Sequence, residues 1–75
     1  MKIFVVDIHN VSVIVHPMES DTVALLKEEI KNKYKINDDI KLHYNGAILE
    51  DNEYLCDYDI EEGSVICFLG KFPIN

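Results

Sequence analysis

Hydrophobic and polar residues alternate in two short runs at the start of the chain. The runs Met1–Val6 and Val11–Val15 are rich in β-branched residues, and residues 7–10 separate them. This spacing predicts an antiparallel hairpin with a four-residue loop. Because side chains alternate along a strand, Phe4 and Ile14 would lie on the opposite face from the interior residues. The interior residues would be Ile3, Val5, Val13 and Val15.

A helical period replaces the alternation after Pro17. Apolar residues then recur three or four positions apart, at Val23, Leu26, Ile30 and Tyr34. That spacing predicts a helix that starts near Val23 and buries these residues. Thr22 or Asp21 can cap its first turn, whereas Leu25 lies off the buried stripe and is expected to be exposed.

A third strand and a tight turn follow the helix. Ile40–Tyr44 has the pattern of a strand, and the Asn45-Gly46 pair separates it from a shorter apolar run at 47–49. Asn and Gly adopt positive φ most readily, so a two-residue hairpin turn is predicted. Alternation then places His43 on the face opposite to that of Leu42.

The rest of the chain carries weaker signals. Residues 51–62 are acidic, with apolar anchors at Leu55, Tyr58 and Ile60. Val65–Leu69 predicts a last strand. Residues 70–75 carry little pattern, so we expect a frayed end or the start of a linker there. The chain would thus form one domain at 1–70 and a tail at 71–75.

These elements predict an α+β fold in which one helix packs across one face of a mixed sheet of four to five strands. The 75 residues are 48% hydrophobic and 28% charged, which is typical of one small globular domain. No apolar run approaches about 20 residues, so no membrane association is expected. The N-terminus lacks the apolar region of a secretory signal, so we expect the protein in the cytoplasm or nucleus, with Cys56 and Cys67 reduced. We also expect it to be a monomer.

The charge is negative and uneven. The net charge is −7, with seven lysines and no arginine, which argues against nucleic acid as a partner. Residues 50–62 hold seven acids and no lysine, whereas four lysines lie between residues 27 and 35. These charges either keep a small domain soluble or steer a charged partner.

No set of residues indicates catalysis. The serines lie in unrelated segments, at Ser12, Ser20 and Ser64, and no nucleophile, base and acid can be grouped around them. The three glycines are scattered, so there is no phosphate-binding loop. We therefore expect neither an enzyme nor a cofactor.

Several segments, taken in order, resemble ubiquitin over almost the whole chain. They are MKIFV, SDTV, NGAILED, LCDYDI and SVICFL, with one residue fewer near residues 37–40. The resemblance implies a β-grasp fold. It also implies a core made of the residues that the periodicity selects independently: Ile3, Val5, Val13, Val15, Val23, Leu26, Ile30, Leu42, Leu49, Leu55, Ile60, Ile66 and Phe68.

Proteins of this family bind others through an apolar patch on the sheet face opposite the helix. The resemblance maps that patch onto six residues, here called the docking surface: Ile8, Lys41, His43, Gly46, Leu69 and Lys71. The implied role is a non-covalent binding or adaptor domain, N-terminal in a larger ubiquitin-pathway protein such as a shuttle factor, ligase or deubiquitinase. The implied partners are ubiquitin receptors, proteasome subunits or other proteins of that pathway.

His43 departs from the family, which normally has an aliphatic residue at this position. The centre of the docking surface is therefore more polar than usual. Either His43 weakens partner binding below about pH 6, where imidazole becomes charged, or it simply tolerates a solvated position.

The end of the chain, GKFPIN, also departs from the family. Conjugation requires an extended tail ending in Gly-Gly, whereas Pro73 stiffens the chain and the neighbouring side chains obstruct the channel that glycine passes through. As written, the chain is not expected to be a conjugatable modifier. The alternative is a covalent modifier whose Gly-Gly tail is missing or truncated. A third possibility is a diverged domain that binds through Phe4, Ile14 or Leu25.

Two further expectations depend on the resemblance. In a ubiquitin-like strand order His43 and Cys67 are neighbours with His9 nearby, and three such ligands can hold zinc. Solvated histidines are commoner, so no metal is expected. The Tyr58 hydroxyl is implied to form a structural hydrogen bond to the backbone near Glu50.

Overall fold

The structure, a computed structural model, describes residues 1–73; Ile74 and Asn75 lie outside the described residues. The chain begins with the predicted hairpin, in which β1 (Ile3–Val6) pairs antiparallel with β2 (Ser12–Val15). The alternation is confirmed, because Ile3 faces the interior while Ile14 is partly exposed.

The helix α1 (Val23–Tyr34) starts where the sequence predicted. The Thr22 hydroxyl accepts a hydrogen bond from the Leu25 amide, with 3.2 Å between O and N, and so caps the first turn. Lys35 ends the helix in a left-handed conformation with φ 56°. Leu25 is 53% exposed, as its place off the buried stripe predicts. Within residues 1–73, no helix has the length and apolar content needed to cross a membrane.

The remaining elements complete a five-stranded mixed sheet. They are β3 (Leu42–Tyr44), β4 (Ala47–Ile48), a 3₁₀ helix (Leu55–Tyr58) and β5 (Val65–Phe68). The strand order is β2-β1-β5-β3-β4, with β5 parallel to β1 and the other pairs antiparallel. The predicted α+β roll of the β-grasp type is confirmed, although β3 begins two residues later than expected.

The core lies between α1 and one face of this sheet. All thirteen core residues that the resemblance implies are buried, and Tyr34, the last residue of the predicted helical stripe, is partly buried. Ile40 joins the core just before β3, at 2% exposure, and Phe72 joins it after β5. The interior face of the sheet is covered except at the β3–β4 edge, where Ala47 is exposed, and the opposite face is left for solvent or a partner.

The segment after β5 corrects one expectation. Phe72 is 3% exposed, and its ring packs against the rings of Tyr34 and Phe68. The expected fraying is therefore wrong at Phe72, because burial of an aromatic ring fixes this part of the backbone. The domain boundary at residue 70 stays a prediction.

Candidate docking surface

A row of neighbouring side chains crosses four strands on the face of the sheet opposite α1. Val6 on β1 pairs with Cys67 on β5, which pairs with His43 on β3, which pairs with Ile48 on β4. Paired residues point to the same face of a sheet. His43 is partly buried in the middle of this row, and Ile48 is 50% exposed at its end.

Leu69 and Lys41 extend the surface beyond the ends of the strands. The Leu69 amide donates to the Lys41 carbonyl, with 2.9 Å between N and O, so the pairing of β3 with β5 continues by one more residue. Each lies two positions from a member of the row, so alternation places both on the outer face. Leu69 is 47% exposed.

Ile8 comes to the same edge from the loop between β1 and β2. Its amide donates to the carbonyl of Gly70, with 2.9 Å between N and O, so the loop lies beside the residue that follows Leu69. Ile8 is 66% exposed, and Lys71 is exposed one residue further along the chain. The structure therefore brings these predicted residues together.

Gly46 shapes the turn between β3 and β4. Asn45 and Gly46 have φ values of 53° and 84°, so both are left-handed, as a tight two-residue hairpin turn requires. No atom lies within 4 Å of the position that a Cβ on Gly46 would take. Glycine is therefore favoured here by the backbone conformation and not by crowding.

Alternation along the last strand places Val65 on the same face as Cys67 and Leu69, but the docking surface mapped from the resemblance included neither Val65 nor Ile48. Both are 50% exposed, and Val65 pairs with Phe4 on the outer face. A signal for Ile48 was present, since a two-residue turn at 45–46 fixes His43 opposite Ile48. The register of β5 beside β1 had no comparable local signal.

Asp7, directly after β1, is a buried carboxylate that sequence analysis also missed; it is 6% exposed. Its Oδ1 accepts hydrogen bonds from the amides of His9 at 2.9 Å and Val11 at 2.8 Å, and its Oδ2 from the amide of Phe72 at 2.8 Å. Burial favours the neutral acid and by itself raises the pKa of Asp7. The three amides and the charge of His9 outweigh burial and hold the pKa of Asp7 below its usual value.

Two lysines add exposed positive charge to the docking surface. Lys41 and Lys71 are exposed, and the ion pair found within residues 1–73 lies elsewhere, between Lys27 and Asp51 at 2.7 Å. In the acidic segment, a hydrogen bond to the Asp57 carboxyl, partial burial and the charges of Asp57 and Glu50 raise the pKa of Glu53. Glu50 and Asp51, at the start of the acidic segment, line the same surface pocket as Lys41 and Ile48, so acidic charge reaches the edge of the docking surface.

The zinc site considered for His9, His43 and Cys67 is not formed. Within the described part of the chain, no three His, Cys, Asp or Glu side chains gather into a group that could hold a metal ion. Cys56 and Cys67 are free thiols.

Comparisons with known proteins agree with this geometry. A sequence model of the Ubiquitin family matches residues 3–73, which is nearly the whole chain. The match reaches past β5 to include the buried Phe72. No curated protein matches the chain significantly. The extent of the family match and the β-grasp strand order establish that the chain belongs to the ubiquitin family.

Proposed function

We propose that this protein binds other proteins non-covalently through the docking surface, and that it acts as a binding domain rather than as an enzyme. One observation carries the proposal. Ile8 and Leu69 are 66% and 47% exposed, and backbone hydrogen bonds bring their segments together on the face opposite the helix. Exposed apolar residues that cluster on a folded surface are typical of a protein-binding site.

Binding would bury the apolar side chains of this surface in a groove or against a helix of the partner. Burial of a Leu or Ile side chain contributes about 1.5–3 kcal/mol when it is complete, and these residues start partly buried. Ile48 adjoins the docking surface and would add to the contact. The ordering costs of association offset much of this gain, so we expect dissociation constants of about 1 μM or weaker.

His43 and the lysines define the chemistry of the partner. The imidazole of His43 lies at the centre of the docking surface, so a fitting partner offers a hydrogen-bonding group there and apolar contacts around it. Lys41 and Lys71 favour acidic side chains at the partner's rim. We propose ubiquitin receptors, proteasome subunits or other ubiquitin-pathway proteins as the partners, in the cytoplasm or nucleus.

Two features support a non-conjugating role, which we propose for a domain of a larger protein, over the alternative of a covalent modifier. The ring of Phe72 is buried and its amide is bonded to Asp7, so this stretch is not an extended, unobstructed tail. The last two residues of the predicted tail, Ile74 and Asn75, stand where conjugation would require Gly-Gly, and they lie outside the described residues. Sequencing the gene beyond Asn75 separates the two roles: further domains favour the binding module, and a downstream Gly-Gly favours the modifier.

The direct test measures the affinity of purified ubiquitin-receptor domains and proteasome receptor subunits by calorimetry. We expect Leu69→Asp and Ile8→Asp to weaken binding at least about tenfold, because each places a charge in a desolvated contact. Leu25→Asp is the matched control, since Leu25 is 53% exposed on the far side of α1. Equal affinity of Leu69→Asp and wild type would contradict the proposal. Weakening by Ile14→Asp or Leu25→Asp, with Leu69→Asp unchanged, would favour the diverged alternative.

A further inference from the structure

Asp7 links the two segments that carry the exposed apolar residues of the docking surface. One segment is the loop between β1 and β2, which contains Ile8, and the other follows β5 and contains Leu69. The carboxylate of Asp7 accepts amide hydrogen bonds from His9 in the first segment and from Phe72 in the second. A single buried carboxylate therefore joins them.

The ring of Phe72 holds the second segment to the core. Its centroid lies 5.2 Å from that of Tyr34 and 5.1 Å from that of Phe68, both in tilted arrangements. Gly70 lies so close to the Phe68 ring that an added Cβ would be 2.8 Å from it. The segment can pack this closely because residue 70 has no side chain.

Exposed and anchored residues alternate along the segment after β5, and in the loop the exposed Ile8 directly follows the buried Asp7. The Ile8 amide donates to the Gly70 carbonyl, and the Leu69 amide donates to the Lys41 carbonyl. Each exposed side chain therefore stands on a backbone that is already hydrogen-bonded. A surface that is ordered before binding loses less conformational entropy when a partner binds.

We propose that Asp7 and Phe72 are positioning residues of the docking surface, which hold Ile8 and Leu69 in the arrangement that a partner binds. This inference rests on the proposed function and deepens it. Neither residue is exposed enough to provide the contact itself. Their effect on binding is therefore exerted through the order of the surface.

The test compares Asp7→Asn with Glu62→Gln by amide hydrogen exchange in NMR. Glu62 is a matched control, because its carboxylate accepts the distant Lys2 amide at 2.9 Å, near the opposite end of β1. In Asp7→Asn we expect the amide of Phe72, which donates to Asp7, to exchange at least about tenfold faster, as weakening of a hydrogen bond to a charged group predicts. The amide of Ile8, which donates to the Gly70 carbonyl, should also exchange faster, because the two segments are no longer joined as firmly. The same amides should keep wild-type rates in Glu62→Gln.

The amides of α1 separate a local effect from a loss of global stability. In Asp7→Asn we expect Leu26 and Ile30 to keep their exchange rates, and the receptor domain that binds wild type most tightly to bind at least about threefold more weakly. The variant Phe72→Leu keeps the amide, so it should also speed exchange at Ile8 and weaken binding, both to a smaller extent.

Three results would overturn the positioning role. They are unchanged exchange at Ile8 and Phe72, equal acceleration at Leu26, and unchanged affinity despite faster exchange at Ile8. Failure of the proposed function is distinguishable from these, because it appears as wild-type affinity in Leu69→Asp whatever the exchange rates show.

Discussion

The Tyr58 hydroxyl accepts a hydrogen bond from the Glu50 amide, with 2.8 Å between O and N, as the resemblance to ubiquitin implied. Tyr58→Phe removes the acceptor and leaves that amide without its partner. We expect the free energy of unfolding to fall by about 1 kcal/mol, the typical net value of one hydrogen bond. Urea denaturation measures this loss. Tyr54→Phe is the control, because Tyr54 is half-exposed. Equal losses in the two variants would contradict a specific role for the Tyr58 hydroxyl.

The lowered pKa of Asp7 predicts how the stability of the fold depends on pH. Its folded pKa is lower than the unfolded value of about 4, so the folded chain holds the ionised form more strongly. The stabilisation is therefore present above about pH 4 and is lost as the pH falls through the lower, folded pKa. We expect wild type to lose its stability advantage over Asp7→Asn in this acidic range. Urea denaturation between pH 7 and pH 2.5 measures it, and parallel profiles for the two proteins would contradict the prediction.

At the level of elements, the turn between β3 and β4 depends on the left-handed conformation of Gly46. A Cβ there meets no atom within 4 Å, so Gly46→Ala costs only the backbone strain, which is about 1 kcal/mol. Thermal unfolding measures the loss. Chemical synthesis with D-alanine at residue 46 is the control, because D-alanine favours positive φ and should remove the loss. Destabilisation by both residues would indicate crowding instead.

Local signals explain which elements could be predicted from the sequence. The Thr22 cap and the Asn45-Gly46 turn act within a few residues, and both formed where the sequence placed them. The buried alternation in β1 and β2 was equally clear because it depends only on the neighbouring residues.

Contacts between distant segments explain what could not be predicted. Phe72 is 65 residues from Asp7, its hydrogen-bond partner, and no periodic pattern surrounds it. Its burial follows from the position of Tyr34 at the end of α1, which only the folded chain defines. Of the outer face, the pairing of Ile48 with His43 could be inferred from the turn, whereas that of Val65 with Phe4 required the parallel pairing of β1 with β5.

At the scale of the whole molecule, the charge distribution predicts how a partner approaches. The chain has a net charge of −7, yet Lys41 and Lys71 are exposed at the docking surface. Replacing both by Glu should slow association with an acidic partner, and the difference should shrink as salt rises, because screening acts over about 10 Å at 0.1 M. Stopped-flow measurements at two salt concentrations test this. Lys35→Glu, at the end of α1, is the control, and an equal effect of Lys35→Glu would indicate net charge alone.

The central claim is that the face of the sheet opposite α1 is the one that partners bind. The most direct measurement is a titration of the ¹⁵N-labelled protein with a purified ubiquitin-receptor domain, followed through the backbone amide shifts. We predict that the largest shifts fall on Ile8, His43, Ile48 and Leu69, with the amide of Leu25 unchanged. Shifts concentrated on the exposed side of α1 would contradict the account.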